Sequence, residues 1–97
     1  MTKLFFLVSS AKSSIVLESL ARGCQRNGTS WCCFFTGEGV QQLKGSNLIN
    51  LPHTAKRAVA CEYYWHEFVG SKESPIEFGS QTTNSELMTD SERVISL

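Results

Sequence analysis

Cys61 is the residue of this 97-residue chain best placed to do chemistry. It stands where a short apolar run, Ala58-Val59-Ala60, stops and a stretch with helical spacing, Glu62 to Phe68, begins. Strand, cysteine, helix is an arrangement with chemical consequences. The unpaired N–H groups that open a helix, together with its macrodipole, stabilise an anion. A thiol held there titrates below its ordinary value of about 8.5, and the thiolate is the form that attacks or carries sulfur. The competing reading is a small buried hydrophobe, the commonest role of a free cysteine. His66 lies five positions on, where helical geometry carries it away from Cys61, so it is not the expected direct base.

Three further groups have the types for a site. Gly37-Glu38-Gly39 follows the second predicted strand, at the sheet edge where open parallel sheets bind ligands. Glu38 is either an acid or base there or a solvated loop charge, and the second is preferred, since most polar loop residues simply face water. Ser9 and Ser10 open a serine-rich loop between a strand and a helix, which suits phosphate binding through hydroxyls and N–H groups. With no glycine fingerprint, helix capping by Ser13 or Ser14 is the favoured use of that loop. Tyr63, Tyr64, Trp65 and Phe68 put four aromatics into six residues, more than one buried face needs. Part of this cluster is expected to meet another subunit or a partner.

The remaining cysteines carry less. Cys24 falls on or beside the apolar stripe of a helix and reads as core. Cys32 and Cys33 are adjacent, so a strand would point them to opposite faces, and their spacing fails the zinc pattern. No metal and no cofactor are expected. Without a secretory signal, a disulfide framework is a weak reading of the four cysteines.

The elements that must position these residues follow from periodicity. Lys3–Val8 is a continuous apolar run, as in a strand covered on both faces. Ile15, Leu17, Leu20, Ala21 and Cys24 recur at helical spacing through Ser14–Arg26, and Asn27-Gly28 supplies a stop. Ser30–Thr36 is a second buried strand, and Val40–Lys44 a short helix. Gly45–Thr54 reads as a covered loop in which Pro52 disfavours helix at Leu51 and His53 has no partner that the sequence identifies. After the Cys61 strand and its helix, which ends at Gly70, Ser71–Pro75 reads as a polar turn and Ile76–Gly79 as a short strand or loop. Ser80–Asn84 reads as a polar, flexible stretch. Ser85–Asp90 reads as a weak helix with Leu87 and Met88 facing inward, and Arg93–Leu97 as the last strand. This alternation predicts a single compact α/β domain over residues 1–97, with a mainly parallel sheet of about five strands and helices on both faces.

Composition sets the class. The chain is 41% hydrophobic and 19% charged with zero net charge, so no field draws nucleic acid or anionic lipid. Leu4–Val8 is too short for a signal-peptide core or a membrane span, which predicts a soluble, cytoplasmic protein. A domain this size buries only about 60–65% of its unfolded surface, and a subunit contact would add stability.

Several segments in order give a resemblance. KLFFLVSS resembles the first strand and serine-bearing turn of the DsrE/DsrF/DsrH-like family, which includes the Tus sulfur-relay subunits. CFFTGEGV is similar to that family's second strand and glycine-acid turn, AVACEYYWHEFVG to its strand-cysteine-helix segment, and SELMTDSERVISL to its closing helix and strand. The segment after Cys61 is more aromatic than the family's, where small and basic residues are common. The resemblance implies a compact α/β domain assembling as trimers or hexamers, of one chain or several. It implies that Cys61 takes sulfur as a persulfide and hands it from a donor protein to an acceptor, beside the Gly37-Glu38-Gly39 turn. The alternative is a non-catalytic oligomeric subunit or interaction module that docks partners through the aromatic segment. A third and weaker reading puts a flavin or nucleotide phosphate at the serine loop.

Overall fold

In the computed structural model, which describes residues 2–44, 54–70 and 73–97, the first apolar run forms strand β1 (Thr2–Val8). Helix α1 (Ser14–Asn27) follows and buries Leu17, Ala21 and Cys24 at the spacing of one helical face. It stops at Gly28, whose φ of 66° lets its N–H reach back to the Cys24 and Gln25 carbonyls. Strand β2 (Trp31–Phe35) is buried at every position, as its unbroken apolar sequence requires. A 3₁₀ segment (Gly37–Lys44), strand β3 (Arg57–Cys61), helix α2 (Glu62–Phe68), strand β4 (Glu77–Gly79), helix α3 (Gln81–Thr89) and strand β5 (Ser91–Ser96) complete the order.

The five strands lie in the order β4-β3-β2-β1-β5, and each neighbouring pair is parallel. The strands β1 to β4 advance in one direction across the sheet, while β5 returns to the far side of β1. Because parallel crossovers are right-handed, that single reversal decides which helix covers which face. On one face, Leu17, Ala21 and Cys24 of α1, Val40 and Leu43 of the 3₁₀ segment and Trp65 of α2 pack on Phe6, Val8, Cys33, Phe35 and Ala60. On the other face, Leu87 of α3 closes over Phe5, Cys32, Phe34, Val59 and Cys61. Adjacent cysteines therefore part company, Cys32 to one core and Cys33 to the other.

Three expectations are corrected. The stretch Ser80–Asn84 is not a flexible loop, since α3 begins at Gln81. The Ser80 hydroxyl accepts from the Thr82 N–H at 3.2 Å and the Thr83 hydroxyl accepts from the Ser80 N–H at 3.3 Å. Those two bonds supply what the poor helix formers Thr82, Thr83 and Asn84 do not. Met88 is 37% exposed and only Leu87 turns inward, because adjacent helical residues cannot share one face. Trp65 is a core residue at 2% exposure, not an interface residue, because it lies on the face of α2 turned to the 3₁₀ segment. Residues 45–53 of the covered loop, including Leu48, Ile49, Leu51, Pro52 and His53, and Ser71 and Lys72 of the polar turn lie outside the described residues.

Candidate functional site at the strand ends

Cys61 is both the last residue of β3 and the N-cap residue of α2, with extended backbone angles (φ −64°, ψ 118°). Its side chain makes no capping hydrogen bond to α2. Alternation along β3 explains this. Ala60 belongs to the α1–α2 core and Cys61 to the opposite one, so the sulfur points away from the helix that follows it and toward α3. The expectation that the α2 N-terminus would embrace the thiol is therefore corrected. The group that reaches the sulfur is the Gln81 carboxamide, whose Nε2 donates to Cys61 Sγ at 3.8 Å and to Thr36 Oγ1 at 3.2 Å.

These residues share a cleft of about 930 Å³ at the carboxyl ends of β2, β3 and β4. Thr36, Cys61, Gly79, Ser80, Gln81 and Thr83 line it from the strand ends and α3, and Glu62, Tyr63, Tyr64 and His66 from α2. The size falls within the range of small-molecule and side-chain binding clefts. Cys61 lines it although the residue is only 3% exposed. The His66 imidazole also borders the cleft, but its Nε2 lies 3.8 Å from Glu62 and its ring 6.0 Å from that of Phe78.

The other three thiols sit in different surroundings, and none lines this cleft. Burial raises the pKa of Cys24 and of Cys32; for Cys32, hydrogen bonds with Ser91 and Thr2 pull part of the way back. Burial drives Cys33 well above the ordinary thiol range, with Cys32 adding to the effect. Burial thus disfavours the thiolate, the reactive form, at all three.

The remaining sequence candidates separate into different places. Tyr63 is 67% exposed and stands edge-on to Tyr64 at 5.0 Å, while Tyr64 stacks with Phe68 at 6.2 Å. Trp65 lies beneath, against Phe78. Glu38 is exposed and does not line the Cys61 cleft. Gly37 and Gly39 shape the backbone instead, with the Gly39 N–H donating to the Thr36 carbonyl at 2.9 Å. Ser9 and Ser10 lie at the β1/β5 reversal, the position where an open sheet offers a ligand crevice. There the N–H groups of both residues donate to the Leu97 carbonyl, at 2.9 and 3.2 Å. The buried Gln42 amide donates to the Ser10 carbonyl and to Ser13 Oγ. Ser13 is the N-cap of α1 without a side-chain capping bond. The loop is thus tied down by the protein's own groups.

Gln81, Thr36 and Gln42 escaped the sequence reading. The available signal for Gln81 was its place two residues past Gly79, at the end of a strand that pairs Gly79 beside Cys61.

Comparison of the chain with protein-family models, with curated proteins and with solved structures finds no match. None of the helices among the described residues is long and apolar enough to cross a membrane.

Proposed function

We propose that the chain is a sulfur carrier, with Cys61 as the loaded residue. The observation that carries this reading is the contrast among the four thiols. Cys61 lines a cleft at the strand ends beside two polar side chains, whereas Cys24, Cys32 and Cys33 are buried away from that cleft. The resemblance of KLFFLVSS, CFFTGEGV and AVACEYYWHEFVG to the DsrE-like family supports the same residue and implies an oligomer working with donor and acceptor proteins. Four free thiols suit a reducing cytoplasm.

The chemistry is two thiol exchanges. The Cys61 thiolate attacks the sulfane sulfur of a donor persulfide. The donor's S–S bond breaks, its thiolate leaves with the electron pair, and Cys61 becomes Cys–S–SH. An acceptor thiolate then attacks the terminal sulfur, and Cys61 leaves as thiolate. The sulfane sulfur keeps its oxidation state throughout, so neither step needs an oxidant or reductant. The cleft supplies N–H and O–H groups from Gln81, Thr36 and Thr83, and its volume admits a donor's persulfide-bearing side chain. Incubation with polysulfide or a persulfide-loaded donor tests the reading. Cys61→Ser abolishes loading and Cys24→Ser leaves it intact. Unchanged loading of the Cys61 variant would sink the proposal.

One observation favours a second reading, a docking module in which Cys61 is inert. Tyr63 is the most exposed aromatic of the α2 cluster and stands at the cleft rim, with Phe78 also partly exposed. In that case Tyr63→Ala weakens capture of a partner, while Cys61→Ser has no effect on it.

A further inference from the structure

We propose that Gln81 is a positioning residue for the sulfur of Cys61, donating a carboxamide N–H to it in an orientation that Asn84 fixes. The inference rests on the reading of Cys61 as the carrier and names the group that serves its sulfur. Three observations lead to it. The Cys61 side chain points to the α3 side of the sheet, and Gln81 is the first residue of α3. The Gln81 Nε2 has two hydrogens and two acceptors, Cys61 Sγ and Thr36 Oγ1, so the amide bridges the ends of β2 and β3. The other end of the amide is also engaged, because Gln81 Oε1 accepts from Asn84 Nδ2 at 3.2 Å, one helical turn on. With its oxygen held there, the Gln81 amide presents N–H and not C=O to the sulfur. A carbonyl turned toward an anionic sulfur would repel it.

The step that benefits can be named. Negative charge sits on Cys61 Sγ just before the thiolate attacks the donor, and again when it leaves after the acceptor takes the terminal sulfur. An N–H donor to an ionised partner is of the stronger class of hydrogen bond. Gln81 is itself exposed, but Cys61 is only 3% exposed, so water has little access to the sulfur that the N–H serves. Thr36 contributes by holding the second N–H, which restrains the amide plane.

Two substitutions at position 81 and one at position 84 test this on the full chain. Gln81→Met keeps the length and cover of the side chain without a donor, and Gln81→Lys restores a donor. Asn84→Leu removes the group that orients the amide. The primary readout is the rate of Cys61 modification by iodoacetamide at one fixed neutral pH, followed by peptide mass, with sulfur loading measured in parallel. Loss of the donor in Gln81→Met slows modification by about tenfold, the size expected for a hydrogen bond to a charged group. Gln81→Lys recovers most of that rate, and Asn84→Leu falls between. A Gln81→Met rate equal to the wild type, or a Gln81→Lys rate as slow as the Met variant, overturns the proposal. The two readings fail separately. A wild-type Cys61 that reacts with iodoacetamide yet never takes up sulfur overturns carriage, while the ratio between the Gln81 variants still decides the donor. A folded wild type whose Cys61 does not react at all overturns both.

Discussion

Gly39→Ala is predicted to be among the most damaging single-methyl additions available in this chain. A Cβ built on Gly39 meets the Val8 carbonyl oxygen at 2.1 Å, its carbon at 2.7 Å and the Ser9 nitrogen at 3.1 Å. All three are backbone atoms of the β1 end, so no flexible side chain can yield. Ordinary contact begins at 3.4 Å, which leaves the methyl more than 1 Å too close to the oxygen. The same Val8 oxygen accepts the Thr36 N–H at 2.9 Å, so a shift that relieves the clash stretches that bond. Overpacking of about 2 kcal/mol and a weakened hydrogen bond of about 1 kcal/mol give a loss near 3 kcal/mol. For a domain of this length that lowers Tm by about 15 °C. Urea and thermal unfolding followed by far-UV circular dichroism measure it, with Gly28→Ala as the control. Gly28 has open space around it and only its positive φ to satisfy, so alanine there costs about 1 kcal/mol. A Gly39→Ala loss no larger than the Gly28→Ala loss would refute the close approach of the 3₁₀ segment to β1. Because Thr36 begins that turn, the variant also disturbs the Gln81 contact and the Cys61 cleft.

Other consequences follow from the same geometry. Trp65→Ala removes a buried ring from the larger core and lowers stability by about 3–5 kcal/mol, whereas Tyr63→Ala changes it by less than about 0.5 kcal/mol, as chemical denaturation of both will show. Arg57 makes a paired contact with Glu77 across β3 and β4, at 2.8 and 3.1 Å, which holds the Glu77 carboxyl below the usual carboxylate range. Both side chains are nearly half exposed, so solvent screening keeps the pair's worth below about 1 kcal/mol. A depressed folded pKa contributes stability above the unfolded value and loses it as pH falls through the folded one. The stability gap between wild type and Arg57→Ala is therefore present at neutral pH and closes below about pH 4, measured by urea unfolding across that range.

Much of the architecture could be read from residue pattern. The unbroken runs Leu4–Val8 and Trp31–Phe35 demanded strands covered on both faces, and the stripe Leu17, Ala21, Cys24 demanded a helix against one of them. The position of Cys61 at a strand end followed from the change of period at Glu62. Its neighbours did not. Strand order is set by which crossovers reverse, a non-local choice, and that order brings α3 to the thiol. Gln81 sits in a run of Thr, Asn and Ser that favours loops by propensity, and it becomes helical through the Ser80–Thr83 cap and the burial of Leu87. Trp65 was misplaced because a seven-residue helix gives too few turns to separate a buried face from an exposed one. The expected capping of α1 by a serine side chain is absent at its N-cap Ser13, and the loop's actual partners, Gln42 and Leu97, were not legible because they are distant in sequence.

The central claim is that one of four thiols carries sulfur. Intact-protein mass spectrometry of the wild type after incubation with a persulfide donor, followed by peptide mapping, tests it most directly. The account predicts one added sulfur, on the Cys61 peptide, removed by a thiol reductant, with Cys24, Cys32 and Cys33 unmodified. Sulfur on any of the other three peptides, or none on Cys61 in the folded protein, would contradict it.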